Sequence, residues 1–442
     1  MKLMSLFDGS GGFPLAASLC GIEPVYAAEV EPYPIAVTNN RFPKMKHLGD
    51  VNKVKGGEIE PVDIITFGSP CQDISIAGKR AGLKHADIGD EEATRSGLFL
   101  EAIRIIKEMR EATNGVYPRY AVWENVPGAF SSNKGEDFRT VLDELIKISE
   151  PDAVMPDVPK AGWPYADCYS GNGWSLAYRV FDAQYWGVPQ RRRRIYLVAD
   201  FRGQRAGEIL LKPEGLRRNS AQSGTQGQET ARCAKNSDGK SPTLRAEAHG
   251  NMPCVINKKT LVYDTRGNGT GETVPTITGD HNNRVTDYTA LCIEEQRPYQ
   301  NATGPLMANS HPGSYTGQDA YKDMFVVGKE KTVAVPVHYI VRRLTPTECA
   351  RLQGFPDLWG YLDKKESFTD EEYKFWLEVR NTYARINNKA VKDYTKAQML
   401  SWYNKLHSDS AEYKMWGNGI ALPNALYVMQ GIAEVVGVHH SK

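Results

Sequence analysis

The run Asp63-Ile64-Ile65-Thr66 stops at Phe67-Gly68-Ser69-Pro70-Cys71-Gln72, and this junction constrains the fold more than any other stretch of the chain. The run reads as a buried strand, and Gly-Ser-Pro forces a turn behind it. Cys71 therefore belongs to a loop at a strand's carboxyl end. In an open α/β sheet that edge is where ligands bind, so a thiol there can face a substrate. An unpaired cysteine is more often a small, inert, buried apolar group. What shifts the balance is the rest of the chain.

Other strand ends carry chemistry of their own. Lys2-Leu3-Met4-Ser5-Leu6-Phe7 reads as a first strand, and Asp8-Gly9-Ser10-Gly11-Gly12-Phe13 as a glycine-rich turn into a helix over 15–19. A second strand, Val25-Tyr26-Ala27-Ala28, ends in Glu29, where an acid in a doubly wound fold binds ribose hydroxyls. Gly49-Asp50-Val51 is a third turn with an acid at its tip. Together these outline an adenosine pocket, although glycines also serve plain tight turns. Tyr120-Ala121-Val122-Trp123 is a further buried strand ending in Glu124-Asn125-Val126-Pro127. That puts a carboxylate at the same edge as Cys71, where the commoner fate of a glutamate is a salt-bridged rim position.

Helices are expected over 98–109 and 138–148, and a late strand pair over 178–182 and 195–198. Gly187-Val188-Pro189-Gln190-Arg191-Arg192-Arg193-Arg194 joins that pair. If the second strand is buried, alternate arginines point to opposite sides, one set towards the sheet edge. Guanidinium groups there suit an electron-rich heterocycle and its phosphates.

At 442 residues the chain is too long for one compact core and implies two domains with an insertion. Basic and acidic residues number 54 and 53, for a net charge of +1, so any nucleic-acid binding must come from local clustering. The seven cysteines, Cys20, Cys71, Cys168, Cys233, Cys254, Cys292 and Cys349, form no C-x-x-C pair. This argues against a disulfide framework or a zinc site, so no metal is expected, and it fits a reducing, cytoplasmic interior. No apolar run reaches the ~18 residues of a membrane span, and the first residues already form a strand, so no membrane association is expected.

From about 201 to 337 the α/β rhythm gives way to Gly, Ser, Thr, Asn and Pro with short β-like runs. A weak repeat runs through it: Ser241-Pro242-Thr243-Leu244 to Cys254-Val255-Ile256, Val274-Pro275-Thr276-Ile277 to Cys292-Ile293, and Gly304-Pro305-Leu306-Met307 to Phe325-Val326-Val327. Each copy reads as a hairpin with His249, His281 or His311 at a polar tip, and those histidines do not have metal-site spacing. The α/β texture returns at Tyr339-Ile340-Val341-Arg342-Arg343-Leu344, before a helix opened by Thr345-Pro346-Thr347-Glu348. Residues 363–413 read as helical, with capping-box spacing at Thr369 and Glu372 and at Thr395 and Gln398. Gly417-Asn418-Gly419-Ile420 and Pro423 lead into an apolar helix over 424–436.

In this order the motifs resemble those of the DNA (cytosine-5) methyltransferase family. The matches are Leu6-Phe7-Asp8-Gly9-Ser10-Gly11-Gly12, Gly68-Ser69-Pro70-Cys71-Gln72, Glu124-Asn125-Val126 and Gln190-x-Arg192-x-Arg194. They continue with Arg343-Leu344-Thr345-Pro346-x-Glu348, Leu352-Gln353-Gly354-Phe355-Pro356 and Gly417-Asn418-x-Ile420. Two positions depart from the family pattern: Asp8 stands where Ala is common, and Gly419 where Ser or Thr is common.

The resemblance implies an α/β, Rossmann-like S-adenosylmethionine-dependent methyltransferase domain with a mostly β or irregular target-recognition domain. It divides the chain into a catalytic, cofactor-binding domain over 1–200, target recognition over 201–338, a linking helix over 339–360, a helical insertion over 361–414 and a closing helix over 415–442. It implies Cys71 as nucleophile on carbon 6 of cytosine, Glu124 at ring nitrogen 3, and Arg194 on the carbonyl oxygen with Arg192 in support. It assigns Phe7, Gly9, Gly11, Gly12, Glu29, Val30, Asp50, Val51, Pro70, Leu98 and Asn418 to S-adenosylmethionine. Ser75, Lys79, Arg80, Lys84 and Gln190 would meet DNA, with the loop over 75–84 closing on a flipped-out base. Double-stranded DNA is then the partner, a cognate restriction endonuclease is a further candidate, and a monomer is expected. An RNA cytosine-5 methyltransferase and a catalytically silent DNA-binding relative remain alternatives, while a nucleotide-dependent oxidoreductase leaves Cys71, Glu124 and the arginines without a joint role.

Overall fold

The computed structural model describes residues 1–69, 97–155, 157–212 and 344–437, with the strands Leu261–Asp264, Ala290–Gln296 and His338–Arg343 described as backbone. Eight strands form one sheet: β1 (Lys2–Leu6), β2 (Glu23–Ala28), β3 (Lys46–His47), β4 (Ile64–Phe67), β5 (Tyr120–Asn125), β6 (Ala166–Ser170), β7 (Ser175–Asp182) and β8 (Arg193–Asp200). Their order is β3-β2-β1-β4-β5-β8-β7-β6. The five strands from β3 to β5 are parallel, and β8, β7 and β6 follow antiparallel to their neighbours. Strand order reverses at β1, so the crevice beyond the carboxyl ends of β1 and β4 is the ligand edge of the sheet. Because β8 runs antiparallel to β5, its amino end, with the arginine run, reaches that same edge.

Helices cover both faces, as the near-continuous apolar character of the central strands requires. One face carries α1 (Gly12–Leu19) and α2 (Pro32–Arg41), the other α3 (Leu98–Ala112) and α4 (Glu136–Ile146). Trp123 of β5 is fully buried among Phe99 and Phe138 on the second face, and Tyr196 of β8 packs with Phe13 and Phe181 on the first. A short helix, α5 (Ala206–Leu210), closes this part of the chain.

A second sheet holds β9 (Leu261–Asp264), β10 (Ala290–Gln296) and β11 (His338–Arg343) in the order β11-β10-β9. Here the expected organisation needs correction. The return strand at Cys292-Ile293 lies within β10, which pairs antiparallel with β9 and with β11. The segment from Tyr339, expected to belong to a linking helix over 339–360, opens with the edge strand of this second sheet, so a boundary at 338 cuts β11 from its partners. The remaining hairpin segments, including 241–256, 274–277 and 304–327, lie outside the described residues.

After α6 (Pro346–Leu352) come α7 (Asp370–Ile386), α8 (Lys396–Tyr403), α9 (Asp409–Asn418) and α10 (Leu422–Val436). Thr345 with Glu348, Thr369 with Glu372, and Thr395 with Gln398 each form the reciprocal pair that satisfies two orphan N–H groups at a helix start. The expected boundary at 414 falls inside α9, so insertion and closing segment share a helix. Among the described residues no single helix is long and apolar enough to cross a membrane.

Candidate active site

Three strand ends build one half of the site. Phe7, Gly9 and Gly11 all have positive φ, at 56°, 54° and 76°, which winds the turn after β1 tightly. Gly12 then opens α1 where a Cβ would lie 2.4 Å from Ile420 Cγ1, so only glycine admits this approach. Beyond β2, the Glu29 carboxylate fastens the turn. Its Oε2 accepts from Gly9 N at 2.8 Å, and its Oε1 from Val30 N at 2.7 Å and Glu31 N at 3.0 Å. Burial raises the Glu29 carboxyl while those three N–H groups oppose the shift. Beyond β3, Asp50 Oδ1 accepts from Asn52 N at 3.0 Å and caps the short turn Val51–Lys53, with Val51 buried. Leu98, half-buried, begins α3, and Asn418, exposed, ends α9.

The two positions that depart from the family pattern each have a physical counterpart. Among the described residues no donor is aligned on either buried oxygen of Asp8, Ser5 lying nearest, and burial pushes its carboxyl up to about 8, Ser5 opposing and Glu29 adding to the shift. At Gly419 a Cβ would lie 2.8 Å from Ser10 Oγ and 3.0 Å from Gln353 Oε1, so Ser10 and Gln353 occupy the space a hydroxyl side chain would take. Ser10 Oγ, like Asp8, is buried and without an aligned partner among the described residues. Unsatisfied acceptors beside a fixed carboxylate and a positive-φ turn suit a polar, cationic ligand with hydroxyl donors.

The other half stands where β4, β5 and β8 meet. Arg194 Nε lies 3.0 Å from Glu124 Oε1, both side chains nearly buried. The approach is off the hydrogen-bonding line, leaving Oε1 without an aligned donor among the described residues, so this is an ion pair in which the carboxylate keeps bonding capacity. Burial raises the Glu124 carboxyl, with Arg194 and Arg192 opposing. Glu124 Oε2 is also 3.2 Å from where a Gly68 Cβ would stand, so the carboxylate lies against the backbone that leaves β4. Asn125 Nδ2 donates to Ser69 O at 3.0 Å, and Trp123 Nε1 lies 3.4 Å from Ser69 Oγ. β5 thus fixes the last described residue before Pro70 and Cys71. Asn125 was legible as part of a motif but had no role; its amide shows it as the tie between two strand ends.

The arginine run alternates as expected: Arg191 and Arg193 are exposed, Arg192 is buried and Arg194 largely so. Two assignments change in kind. Arg192 lies fully buried, its Nη2 donating to the carbonyls of Gly417, at 3.3 Å, and Gly419, so it positions the segment after α9. Gln190, expected on DNA, is fully buried and belongs to the interior. Pro70, Cys71, Ser75, Lys79, Arg80 and Lys84 lie outside the described residues. Among the described residues no cluster of three or more His, Cys, Asp or Glu could hold a metal.

The model of the family described as C-5 cytosine-specific DNA methylase matches residues 1–149 and 168–375. A relative from Escherichia phage P1, a DNA N-6-adenine-methyltransferase, is 28% identical over 480 residues, which cover 98% of this chain and 61% of that protein. The type II methyltransferase M2.BsuMI of Bacillus subtilis is 30% identical over 199 residues, 45% of this chain and 42% of that one. The chain therefore spans 61% and 42% of the length of these two curated relatives. A solved structure, the Dnmt2 methyltransferase of S. pombe, aligns at a TM-score of 0.48 and 17% identity over 99% of each chain.

Proposed function

The chain belongs to the C-5 cytosine-specific DNA methylase family, and on that premise we propose that it methylates carbon 5 of cytosine in duplex DNA, with S-adenosylmethionine as methyl donor and Cys71 as covalent nucleophile. The observation that carries this reading is the buried Glu124–Arg194 pair held against Gly68, two residues before the Pro70-Cys71 turn begins. Carbon 5 of cytosine is too weak a nucleophile to take a methyl group unaided. Addition of the Cys71 thiolate to carbon 6 places electron density on the ring. Glu124, its carboxyl raised by burial, holds a proton at ring nitrogen 3 and stabilises that density. Arg194 orients Glu124 and offers its remaining N–H groups to the cytosine carbonyl oxygen. Bound S-adenosylmethionine supplies an electrophilic sulfonium methyl. Carbon 5 takes that methyl, then loses its proton as the bond to Cys71 breaks, which restores both ring and thiolate.

The donor fits the residues at the ends of β1 to β3. Glu29 has lone pairs left for ribose hydroxyls, Asp8 is a buried carboxyl with no aligned partner among the described residues, and the Phe7 to Gly12 turn leaves its backbone open to close approach. Phe7, Gly9, Gly11, Gly12, Val30, Asp50, Val51, Leu98 and Asn418 are assigned to it on the same grounds. The segment 201–338 takes target recognition, since a flipped base still has to be chosen by readers in the groove.

A second reading, methylation of adenine N-6, is favoured by the activity of the phage P1 relative. An exocyclic amine attacks a methyl donor directly and needs no thiolate, so Cys71 separates the two. DNA from a methylation-free bacterial host expressing the wild-type chain, Cys71→Ser or Glu124→Gln is hydrolysed to nucleosides and weighed by mass spectrometry. The expected result is 5-methylcytosine with the wild type alone. N6-methyladenine that survives Cys71→Ser would replace this reading with the second, and methylated RNA with unmodified DNA would move the substrate to RNA.

A further inference from the structure

The described residues line a partly open cavity of about 110 Å3, one wall of which, α7, no family motif covers. Glu29, Val30 and His47 line it from the ends of β2 and β3, and Phe375, Glu378 and Thr382 line it from α7. On α7, positions 375, 378, 379 and 382 follow the i, i+3, i+4, i+7 spacing of a single helix face, so the helix turns one whole stripe towards this space. The adjoining face of the helix is anchored: Trp376 is 1% exposed and meets Tyr403 with ring centroids 4.8 Å apart. α7 therefore cannot swing away without unpacking its core face.

The insertion is also tied to the Glu29 segment. Lys414 Nζ of α9 lies 2.7 Å from Glu31 Oε1, and Glu31 N is one of the donors to Glu29. Tyr33 donates to Gly360 O at 2.6 Å, and Phe375 faces His47 with ring centroids 6.3 Å apart. The helix is held in place around this space from both strand ends.

The polar groups on the wall define what it takes. Thr38 Oγ1 lies 3.0 Å from Pro34 O, to which it donates, and 3.2 Å from His47 Nε2. With its one hydrogen spent on Pro34, Thr38 can only accept from His47, which puts the ring hydrogen on Nε2 and leaves Nδ1 an acceptor. Nδ1 is buried with no partner among the described residues. Burial lowers the His47 pKa to about 4, so the ring is neutral and that lone pair is present at physiological pH. Glu378, held by Thr382 Oγ1 at 3.0 Å and Arg385 Nη1 at 3.0 Å, adds a second acceptor, and Val30, Phe375 and Val379 add apolar surface. Hydroxyl and amino donors on a flat apolar body match these walls.

We infer that α7 is the outer wall of the methyl donor's adenosine pocket, and that His47, Phe375, Glu378 and Thr382 hold the ribose-adenine end from the insertion side. The inference rests on the S-adenosylmethionine reading above and gives the insertion a cofactor-retaining role that the family motifs do not contain.

Calorimetric titration of the full chain with S-adenosylhomocysteine, which binds without reacting, tests it. Thr382→Leu and Val379→Trp, which fill the cavity, are expected to weaken binding at least tenfold. Phe375→Ala, which removes a wall, is expected to weaken it several-fold. Lys396→Ala, which breaks an exposed ion pair with Asp370 at the far end of the helix, should bind like the wild type. Circular dichroism and the ligand-free melting temperature show which variants are folded, and if Val379→Trp is not, the other two decide. Folded cavity variants that bind with wild-type affinity would overturn the inference. Failure of the wild type itself to bind S-adenosylhomocysteine would instead remove the methyltransferase reading and this inference with it, a result visible before any substitution is made.

Discussion

Arg192 Nη2 hydrogen-bonds the carbonyl oxygen of Gly417 at 3.3 Å across 225 positions of sequence, and the same nitrogen donates to Gly419 O. Carbonyls at the end of a helix have no intrahelical donor, and the negative end of the α9 dipole favours a cation there. Arg192 satisfies both needs from the strand that also carries Arg194. One short stretch of the arginine run therefore joins the Glu124 half of the site to the segment that backs the glycine-rich turn.

Replacing Arg192 by Met should leave those carbonyls buried without a charged donor and cost about 3 kcal/mol of stability. Burial lowers the Arg192 pKa to about 9, so the guanidinium is still charged at neutral pH and its charge is part of what is lost. Arg192→Lys should recover less than half, because one ammonium cannot match a planar fork spanning two carbonyls. Urea unfolding midpoints read the effect, and an unshifted midpoint for the Met variant would show that the tie carries no weight.

Glu124→Gln should lower kcat by about 100-fold to 10,000-fold, the usual range for removing a positioned proton donor. Stability should move the other way. Burial raises the folded carboxyl above its ordinary 4.5, so above that pH the folded state holds the proton that the unfolded state has released. Stability contributed by Glu124 is then lost as pH rises from that value through the folded pKa. The Gln variant should lack this fall and be at least as stable as wild type at pH 8 by thermal melting. A less stable variant would mean that the Arg194 pair outweighs desolvation.

The strand ends were legible because each is an apolar run stopped by glycine or proline, and β4, β5 and the Gly9 to Gly12 turn lie where those signals put them. The capping boxes at Thr369 and Thr395 were legible for the same reason, a threonine and an acid or amide three residues apart being a local device, and the helix start at Thr345 proved to hold a third. Arg192 was assigned by family position to support Arg194, and its tie to Gly417 was not legible because that segment is connected to it by no local pattern. Gln190 was placed on DNA by its family position, yet β8 begins just beyond it and the alternation carries it inward. The sheet that β11 joins was not legible, because an apolar strand does not state which strands it will pair with. The face of α7 towards Glu29 could be found in the sequence as a periodic stripe, but its facing partner could not.

Asp8 should make the ligand-free protein lose stability as pH rises. Its folded carboxyl is raised to about 8 from an ordinary 3.8, so between those values the folded state binds a proton that the unfolded state does not. Asp8→Asn removes the ionisable group while keeping its size. Relative to wild type, the variant should gain on the order of 3 kcal/mol as pH goes from 5 to 8. Chemical denaturation at the two pH values measures the difference, and parallel pH profiles would show that the Asp8 carboxylate has a partner in solution.

Gly12 and Ile420 should be energetically coupled. A Cβ at Gly12 would stand 2.4 Å from Ile420 Cγ1, 2.8 Å from Ile420 Cδ1 and 3.3 Å from Phe355 Cζ. Gly12 is not among the glycines with positive φ, so its backbone accepts alanine and the obstacle is packing alone. Gly12→Ala should therefore cost about 1–3 kcal/mol in the wild type by overpacking. In an Ile420→Ala background the two nearest carbons are gone and only the 3.3 Å approach to Phe355 remains. There the same substitution should cost less than about 0.5 kcal/mol, since alanine also loses less backbone entropy in a helix. A double-mutant cycle by urea unfolding should return a coupling of about 1–2 kcal/mol. Strict additivity would place the obstacle at Phe355, and the glycine would then be demanded by α6 and its following turn rather than by the segment after α9.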